Sequence, residues 1–234
     1  METENVKKIG PAKWLALWLV YLSIPLLAVV LAGDAGWWQA WAYGAIVGIA
    51  GVGGRFLAEK AHPGLLAERT RFLKVEGVMR WDKLLSPLMA LLIAFPIVIA
   101  AGLERRFGMG VGYGLGWNIA GLAVCACGYA LSVWAMVENK FFSGLVRIQT
   151  ERGHTTVQSG PYAYLRHPGY AGSLLGMLGM VLALDSGWGW LAAAVAMGVG
   201  GMRTALEDAT LRQNLPGYGE YAKKTRWRLI PFIW

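Results

Sequence analysis

The residues that could carry out chemistry are concentrated in two stretches of the C-terminal half. The first stretch spans residues 147–170, and its densest part is Gly160-Pro161-Tyr162-Ala163-Tyr164-Leu165-Arg166-His167-Pro168-Gly169-Tyr170. The second stretch directly follows the last apolar run and contains Arg203, Glu207, Asp208 and Arg212. Imidazole, guanidinium, carboxylate and phenol groups at these spacings are candidates for binding a polar ligand.

Proline residues place the first stretch at the beginning of a helix. Pro161 and Pro168 interrupt regular structure, and Pro168 suits the first turn of a helix that starts near 169–170. His167 would then lie at the helix N-terminus, beside backbone N–H groups that suit an anionic ligand group. Tyrosine and arginine are also ordinary anchors at a membrane interface, so the spacing alone leaves both interpretations open.

The second stretch places acidic and basic side chains on one helix. Arg203 and Glu207 are four residues apart, so they share a helix face and could form an exposed salt bridge. Acidic side chains at a membrane boundary are costly unless a cation accompanies them, which favours a functional role for Glu207 and Asp208.

The elements that must position these residues are strongly hydrophobic. Apolar residues make up 56% of the chain and charged residues 15%, whereas a soluble domain usually carries about 25% charged residues. The 32 glycines and 12 tryptophans suit membrane helices that pack closely and place tryptophan at the interfaces. We therefore predict an all-α fold, a polytopic membrane helix bundle with no separate soluble domain.

Six apolar runs predict about six membrane helices. These runs are 14–32, 37–58, 84–102, 112–137, 170–184 and 188–202. The first run is longer than the apolar core of a signal peptide, so it is predicted to remain as a span. The last two runs are short for a bilayer and are joined by three residues, so they predict a short helical hairpin.

The basic residues predict the orientation of the helices. With six spans and a cytoplasmic N-terminus, 20 of the 22 basic residues lie inside, and only Arg105 and Arg106 lie outside. Both termini are therefore predicted to be cytoplasmic, in the inner or plasma membrane if the source is a bacterium. The net charge of +8 suits an anionic lipid surface, and because the basic residues alternate with apolar runs we expect no nucleic acid partner.

The two cysteines lie within the fourth apolar run. Cys125 and Cys127 are two residues apart, so on a helix they point in different directions and cannot form a normal disulfide. With no histidine or further cysteine nearby in the sequence, we interpret them as packing residues and expect no metal site.

Several motifs together resemble one family of membrane enzymes. In order along the chain they are Asn139-Lys140-Phe141-Phe142-Ser143, Gly160-Pro161-Tyr162, Arg166-His167-Pro168-Gly169-Tyr170-Ala171-Gly172, Arg203, Glu207-Asp208, Leu211, Gly217-Tyr218, Tyr221 and Leu229-Ile230-Pro231. This composite is similar to the isoprenylcysteine carboxyl methyltransferase family, with its related phospholipid N-methyltransferases. The resemblance covers about the last hundred residues, whereas the first half matches only in general plan.

The resemblance implies a membrane methyltransferase that uses S-adenosylmethionine. It implies that residues 138–234 form a cofactor-binding half, and that residues 1–137 form membrane helices with a cytoplasmic loop at 59–83. The helices would admit a lipophilic acceptor from the bilayer. No strand followed by a glycine-rich loop and a helix is evident in the sequence, so a Rossmann-type methyltransferase is not expected.

The chemistry of S-adenosylmethionine assigns roles to the matching residues. Glu207 or Asp208 would contact its ammonium or ribose groups, and His167, with the backbone that begins at Pro168, would contact its carboxylate. The aromatic slot for adenine would come from Tyr162, Tyr164 or Tyr170. The family usually carries two glutamates where this chain has Glu207-Asp208, so the shorter Asp208 is less secure in a direct role.

The predicted catalytic residues are Arg203 and Asn139. Both lie within about one helical turn of an apolar run, and both could hold the polar head group of an acceptor. Arg203 could also simply pair with Glu207, and Asn139 could simply cap a helix. The acceptor remains open among phospholipid amines, small thiols, lipophilic carboxylates and phenols.

Two other functions remain open at the level of the sequence. A membrane reductase on a related scaffold would use a nicotinamide cofactor, but it should need more spans and a site for a 2′-phosphate. A non-enzymatic transporter usually has ionisable residues in the middle of the membrane, and the first four apolar runs contain few of them.

Overall fold

A computed structural model describes residues 9–70 and 77–234, and within these ranges the regular structure is helical, with no strand. The α-helices are α1 (Pro11–Ala32), α2 (Trp38–Ala61), α3 (Leu65–Thr70), α4 (Asp82–Arg106), α5 (Leu115–Glu138), α6 (Pro168–Ala183), α7 (Gly189–Asn214) and α8 (Tyr218–Lys224). Short 3₁₀ turns occur at Thr150–Arg152 and Gly160–Ala163. The prediction of an all-α helix bundle is confirmed.

Within the described residues, four helices are long and apolar enough to cross a membrane. They are α1, α2, α4 and α5, and they coincide closely with the first four apolar runs. α6 is apolar but shorter. Large apolar side chains such as Trp18, Val30 and Ile49 point outward from the helices, as expected for contact with lipid. The chain is an integral membrane protein.

Two of the spans contain local irregularities that have identifiable causes. α2 includes a π-helical turn at Ile49–Gly53 between its α-helical parts. α4 is interrupted at Phe95, because the following Pro96 has no amide N–H to donate to the preceding turn. Neither irregularity ends the span.

α5 and α6 pack with their backbones in contact. A methyl group added at Gly128 would lie 2.4 Å from the amide nitrogen of Gly176, and one added at Gly172 would lie 2.4 Å from the carbonyl oxygen of Gly128. Small residues allow such close approach in membrane bundles. The glycines of α6, Gly172, Gly176 and Gly179, therefore face α5.

The last helix of the bundle is longer than its apolar run. α7 begins near residue 188, as predicted, but continues to Asn214, about three turns beyond the end of the run at 202. Hydropathy falls there while the helical geometry persists. This extension carries Arg203, Glu207 and Asp208 out of the hairpin on one rigid element.

The turns of the bundle place the candidate residues at one end of it. At the opposite end, Arg105 forms a 2.6 Å ion pair with Asp34 in the turn after α1, and the amide of Val111 donates to the carbonyl of Asp185 between α6 and α7. The end of α5 and the beginnings of α4 and α6 lie at the other end. The C-terminal segment after α8, which we call the tail, folds back onto the loop before α6 there. The amides of Arg166 and His167 donate to the carbonyls of Trp227 and Arg228.

The loop predicted at 59–83 is partly helical. It contains α3, whose Leu65 is fully buried with Ala58 and Met136 rather than exposed at the membrane interface. Residues 71–76 of this loop lie outside the described residues. The proposed division of the chain at residue 138 remains a prediction.

Candidate active site

A cavity lies where the end of α5, the loop before α6, and helices α7 and α8 meet. Its empty space, counted to its open mouth, is about 820 Å³. Five of the nine predicted site residues line it: Asn139, Tyr162, His167, Tyr170 and Glu207. We call it the polar cavity.

The other four predicted residues lie elsewhere. Tyr164 is 70% exposed and does not line the polar cavity. Pro168 is buried as the first residue of α6. Asp208 is buried beneath the cavity wall, and Arg203 faces a second cavity.

The carboxylate of Asp208 already accepts hydrogen bonds from several side chains of the protein itself. Arg166 donates to its carboxylate at 2.7 Å, the hydroxyl of Tyr218 donates at 3.0 Å, and both Arg212 and Arg228 donate at 3.1 Å. Burial favours the neutral carboxyl, but the neighbouring His167 and Arg166 outweigh it and hold the pKa of Asp208 well below its usual range. Asp208 therefore joins α7 to the loop and the tail.

Glu207 is the carboxylate that reaches the polar cavity. It accepts a hydrogen bond from the hydroxyl of Tyr170, and the guanidinium of Arg203 donates to the same hydroxyl. Tyr170 therefore stands between Arg203 and Glu207, which the sequence allowed to pair directly.

The ion-pair partner of Arg203 is Asp82, at the beginning of α4. Arg203 donates to both carboxylate oxygens of Asp82, at 2.7 Å and 3.1 Å, and Asp82 is completely buried. Asp82 also accepts from the amide of Val146 in the cavity loop. Nothing in the local sequence indicates this pairing, because the two partners are 121 residues apart.

Two buried nitrogen atoms in the cavity wall make no hydrogen bond within the described residues. They are Nε2 of His167 and Nε of Arg147. The nearest carboxylate oxygen to the His167 nitrogen, on Asp208, is 3.5 Å away, longer than an ordinary hydrogen bond. Glu68 and Glu151 hold the other nitrogens of Arg147. Because a buried unsatisfied donor is costly, these two atoms are suited to an anionic ligand group.

Asn139 ends α5 and supports the aromatic wall of the polar cavity. Its amide nitrogen donates to the hydroxyl of Tyr162 at 3.2 Å, and its side-chain oxygen accepts from the amide of Phe141 at 2.8 Å. Asn139 therefore supports Tyr162, and it does not line the second cavity.

His154 and Phe141 form another part of the aromatic wall. Their ring centroids are 4.4 Å apart, and Nδ1 of His154 accepts from the amide of Gln149. Burial, followed by the charges of Arg147 and Arg152, lowers the pKa of His154 to about 4. The ring is therefore neutral at physiological pH.

A second, larger cavity opens between α1, α2, α4 and α5. Its walls are predominantly apolar, and they include Leu17, Val20 and Ile24 of the first span. We call it the apolar cavity. The two cavities share the wall residues Phe142, Ser143, Gly169 and Tyr170.

A comparison with known families matches part of the chain. Residues 117–216, which are 100 of the 234, match the family model described as phospholipid methyltransferase. This segment of the chain is similar to phospholipid methyltransferases. This confirms the resemblance, since the family includes the related isoprenylcysteine carboxyl methyltransferases. No curated protein matches the chain.

The phospholipid methyltransferase segment contains nearly all of α5, the loop, α6 and α7, and therefore most of the polar cavity. This similarity indicates a membrane methyltransferase. Asp82 and Glu68, which hold Arg203 and Arg147 in place, come from outside the matched segment.

Proposed function

We propose that this protein transfers the methyl group of S-adenosylmethionine to a lipophilic acceptor that enters from the bilayer. The observation that carries the proposal is the wall shared by the polar and apolar cavities. Methyl transfer requires the nucleophile, the methyl carbon and the sulfur to lie in line, so the two substrates must meet end to end. The residues that line both cavities mark where the cavities adjoin, and the two substrates would meet there.

The polar cavity fits the charged groups of S-adenosylmethionine. Glu207 supplies a carboxylate for the ammonium group, and the unpartnered nitrogens of His167 and Arg147 suit the carboxylate group. Tyr162 and Phe141 provide aromatic surface for adenine. Because arginines already occupy Asp208, we assign the acidic contact to Glu207 and a positioning role to Asp208.

The cofactor would supply a methyl group whose bond to sulfur breaks, leaving the electron pair on sulfur, as the acceptor's lone pair bonds to the methyl carbon. The protein's part is alignment and exclusion of water. Arg203 and Glu207 fix the Tyr170 hydroxyl from opposite sides, which holds the shared wall in one position. Asp82 neutralises the charge of Arg203 at this wall.

The structure separates the two residues that we predicted to be catalytic. Arg203 lines the apolar cavity, so we propose that it contacts the acceptor. Asn139 lines the polar cavity and holds the hydroxyl of Tyr162, so we propose that it positions this ring beside the cofactor.

Calorimetric titration of the purified protein with S-adenosylhomocysteine tests the proposal. Binding is expected, with no binding of a reduced nicotinamide cofactor, which the reductase alternative requires. His167→Ala should weaken the binding about tenfold or more, since a charge-assisted contact is lost. Binding of the nicotinamide cofactor alone would contradict the proposed function.

A further inference from the structure

The tail contains an exposed apolar turn. Phe232 is 86% exposed and Ile233 is 75% exposed, and Ile230 and Pro231 are exposed beside them. We call residues 230–233 the tail tip. The tip lies outside the four helices that are long enough to span the bilayer, so contact of those helices with lipid does not account for it. Exposed apolar surface of this kind is typical of a region that contacts a membrane or another protein.

Backbone hydrogen bonds close this turn and hold the tip outward. The amides of Arg228, Leu229 and Ile230 donate to the carbonyl oxygen of Trp234, at 2.8, 3.0 and 3.1 Å. Leu229 is buried and anchors the turn to the rest of the protein. Phe232 has a φ of 66°, in the left-handed region that aromatic residues rarely adopt, and such a conformation persists only where its surroundings fix it. The turn therefore presents the apolar side chains of the tip instead of burying them.

Three basic residues precede the tip. Lys223 and Lys224 end α8, Arg226 follows in the tail, and all three are exposed. The ion pair of Lys223 with Glu220 is also exposed, so it contributes little in water. Basic residues beside exposed apolar residues are typical of segments that lie in the interface of an anionic membrane. The bilayer offers both the charge and the apolar surface, and it already surrounds this protein.

The tail lies close to the boundary of the apolar bundle. The amides of Arg166 and His167 donate to the carbonyls of Trp227 and Arg228, at 2.9 and 3.0 Å. His167 directly precedes α6, which is apolar from its first turn. Because only one closed turn separates Arg228 from the tip, the tip lies near the level at which the apolar part of α6 begins.

We propose that the tail tip inserts into the membrane interface while the three basic residues bind anionic lipid head groups. The docked tail stabilises the wall of the polar cavity, because the two are joined by hydrogen bonds. Arg166 donates to the carbonyl of Arg226 at 2.9 Å, and Arg228 donates to the carboxylate of Asp208 at 3.1 Å. This inference concerns an interaction surface, and it does not depend on methyl transfer.

Spin labels test the docking in the full chain, reconstituted in lipid nanodiscs that hold one copy each. A nitroxide is attached to Phe232→Cys in a Cys127→Ser background, since Cys125 is fully buried and is not labelled. Dissolved oxygen should relax this label more strongly than a neutral, water-soluble nickel chelate does. Gln213→Cys is the control and should show the opposite order, because it is exposed about 15 Å along α7 beyond Arg203.

The two reagents distinguish the possible surroundings of the tip. Stronger relaxation by nickel at position 232 would place the tip in water and overturn the proposal. Weak relaxation by both reagents would place it against protein, which also overturns the proposal. Ile233→Cys is a second labelling position, where the same result as at position 232 is expected.

Nanodiscs with and without phosphatidylglycerol in phosphatidylcholine test the role of charge. The lipid should shift the label at position 232 further towards oxygen, and a combined Lys223→Gln, Lys224→Gln and Arg226→Gln variant should lose this shift. Arg106→Gln, at the opposite end of the bundle, is the matched control and should retain it. An equal shift in the triple variant would overturn the assignment of these residues to anionic lipid.

Hydrogen exchange measures whether docking reaches the cavity wall. In the wild type, exchange of the Arg166 and His167 amides should slow when phosphatidylglycerol is added. A variant that combines Phe232→Asp with Ile233→Asp should lose this response. Both positions are exposed and aspartate tolerates the left-handed φ at position 232, so this variant should fold. The same response in the folded variant, or none in the wild type, would overturn the coupling between the tail and the cavity wall.

Discussion

At the scale of single residues, adjacent carboxylates of α7 have different tasks. Glu207 reaches the polar cavity, whereas Asp208 is buried among arginines. The sequence placed both in the site, with Asp208 less secure only because its side chain is shorter. Their separation depends on Arg166, Arg212 and Arg228, which come from the loop, the helix and the tail.

The different tasks predict different effects of two isosteric substitutions. Glu207→Gln should weaken binding of S-adenosylhomocysteine about tenfold with little change in the free energy of unfolding. Asp208→Asn should lower the free energy of unfolding by about 3–5 kcal/mol, because it leaves the buried guanidinium group of Arg166 without its carboxylate. Calorimetry and thermal unfolding of both variants measure these effects. Equal loss of stability in the two variants would contradict the assignment.

The neutral imidazole of His154 predicts a dependence of stability on pH. Its pKa is about 4 in the folded protein, below the ordinary value of 6.5, so the unfolded chain binds more protons between these values. The contribution of His154 to stability is therefore complete above pH 6.5 and is lost as the pH falls towards 4.

Thermal unfolding of the wild type and of His154→Gln measures this dependence. From pH 7.5 to pH 5 the wild type should lose more stability than the variant. Asp208 does not contribute in this window, because its pKa is depressed and its effect lies below the ordinary aspartate value of 3.8. Parallel curves for the two proteins would show that His154 does not titrate as described.

At the scale of elements, the close contact between α5 and α6 predicts an intolerance of side chains. Gly128→Ala would place a methyl group 2.4 Å from the backbone of α6, so the helices must separate. We expect a loss of about 1–3 kcal/mol in the free energy of unfolding. Gly198→Ala on α7 is the control, since nothing lies within 4 Å of its added methyl group. Equal stability of the two variants would contradict the packing.

Hydropathy predicted the spans well and the polar elements poorly. The runs at 14–32 and 112–137 correspond to α1 and α5, because burial in lipid requires continuous apolar helices. The extension of α7 beyond residue 202 and the short α3 carry polar residues, so hydropathy gave no signal for them. The high glycine content predicted close packing of helices but could not identify α5 as the partner of α6.

At the scale of the whole molecule, the orientation in the membrane remains a prediction. The candidate site and the Arg105–Asp34 pair lie at opposite ends of the bundle, as cytoplasmic termini and six membrane segments require. Reporter fusions at the C-terminus should report the cytoplasm, where an anionic lipid surface would face the basic segments. A C-terminus outside would contradict the six-segment topology and the cytoplasmic site.

The contacts that complete the site join residues that are far apart in the sequence. Asp82 reaches Arg203 and Glu68 reaches Arg147, so the N-terminal half holds residues of the family segment in place. Local motifs predicted five residues of the polar cavity. They could not reveal these partners, because pairing over such separations depends on the folded bundle.

The most direct test of the central claim is transfer of a labelled methyl group. Purified protein is incubated with S-adenosylmethionine labelled in its methyl group and with vesicles of total membrane lipid, and the lipid is then extracted. The label should enter the lipid fraction with the wild type, and Arg203→Ala should reduce this far more than it weakens binding of S-adenosylhomocysteine. Absence of label from the lipid with the folded, cofactor-binding wild type would contradict methyl transfer to a bilayer acceptor.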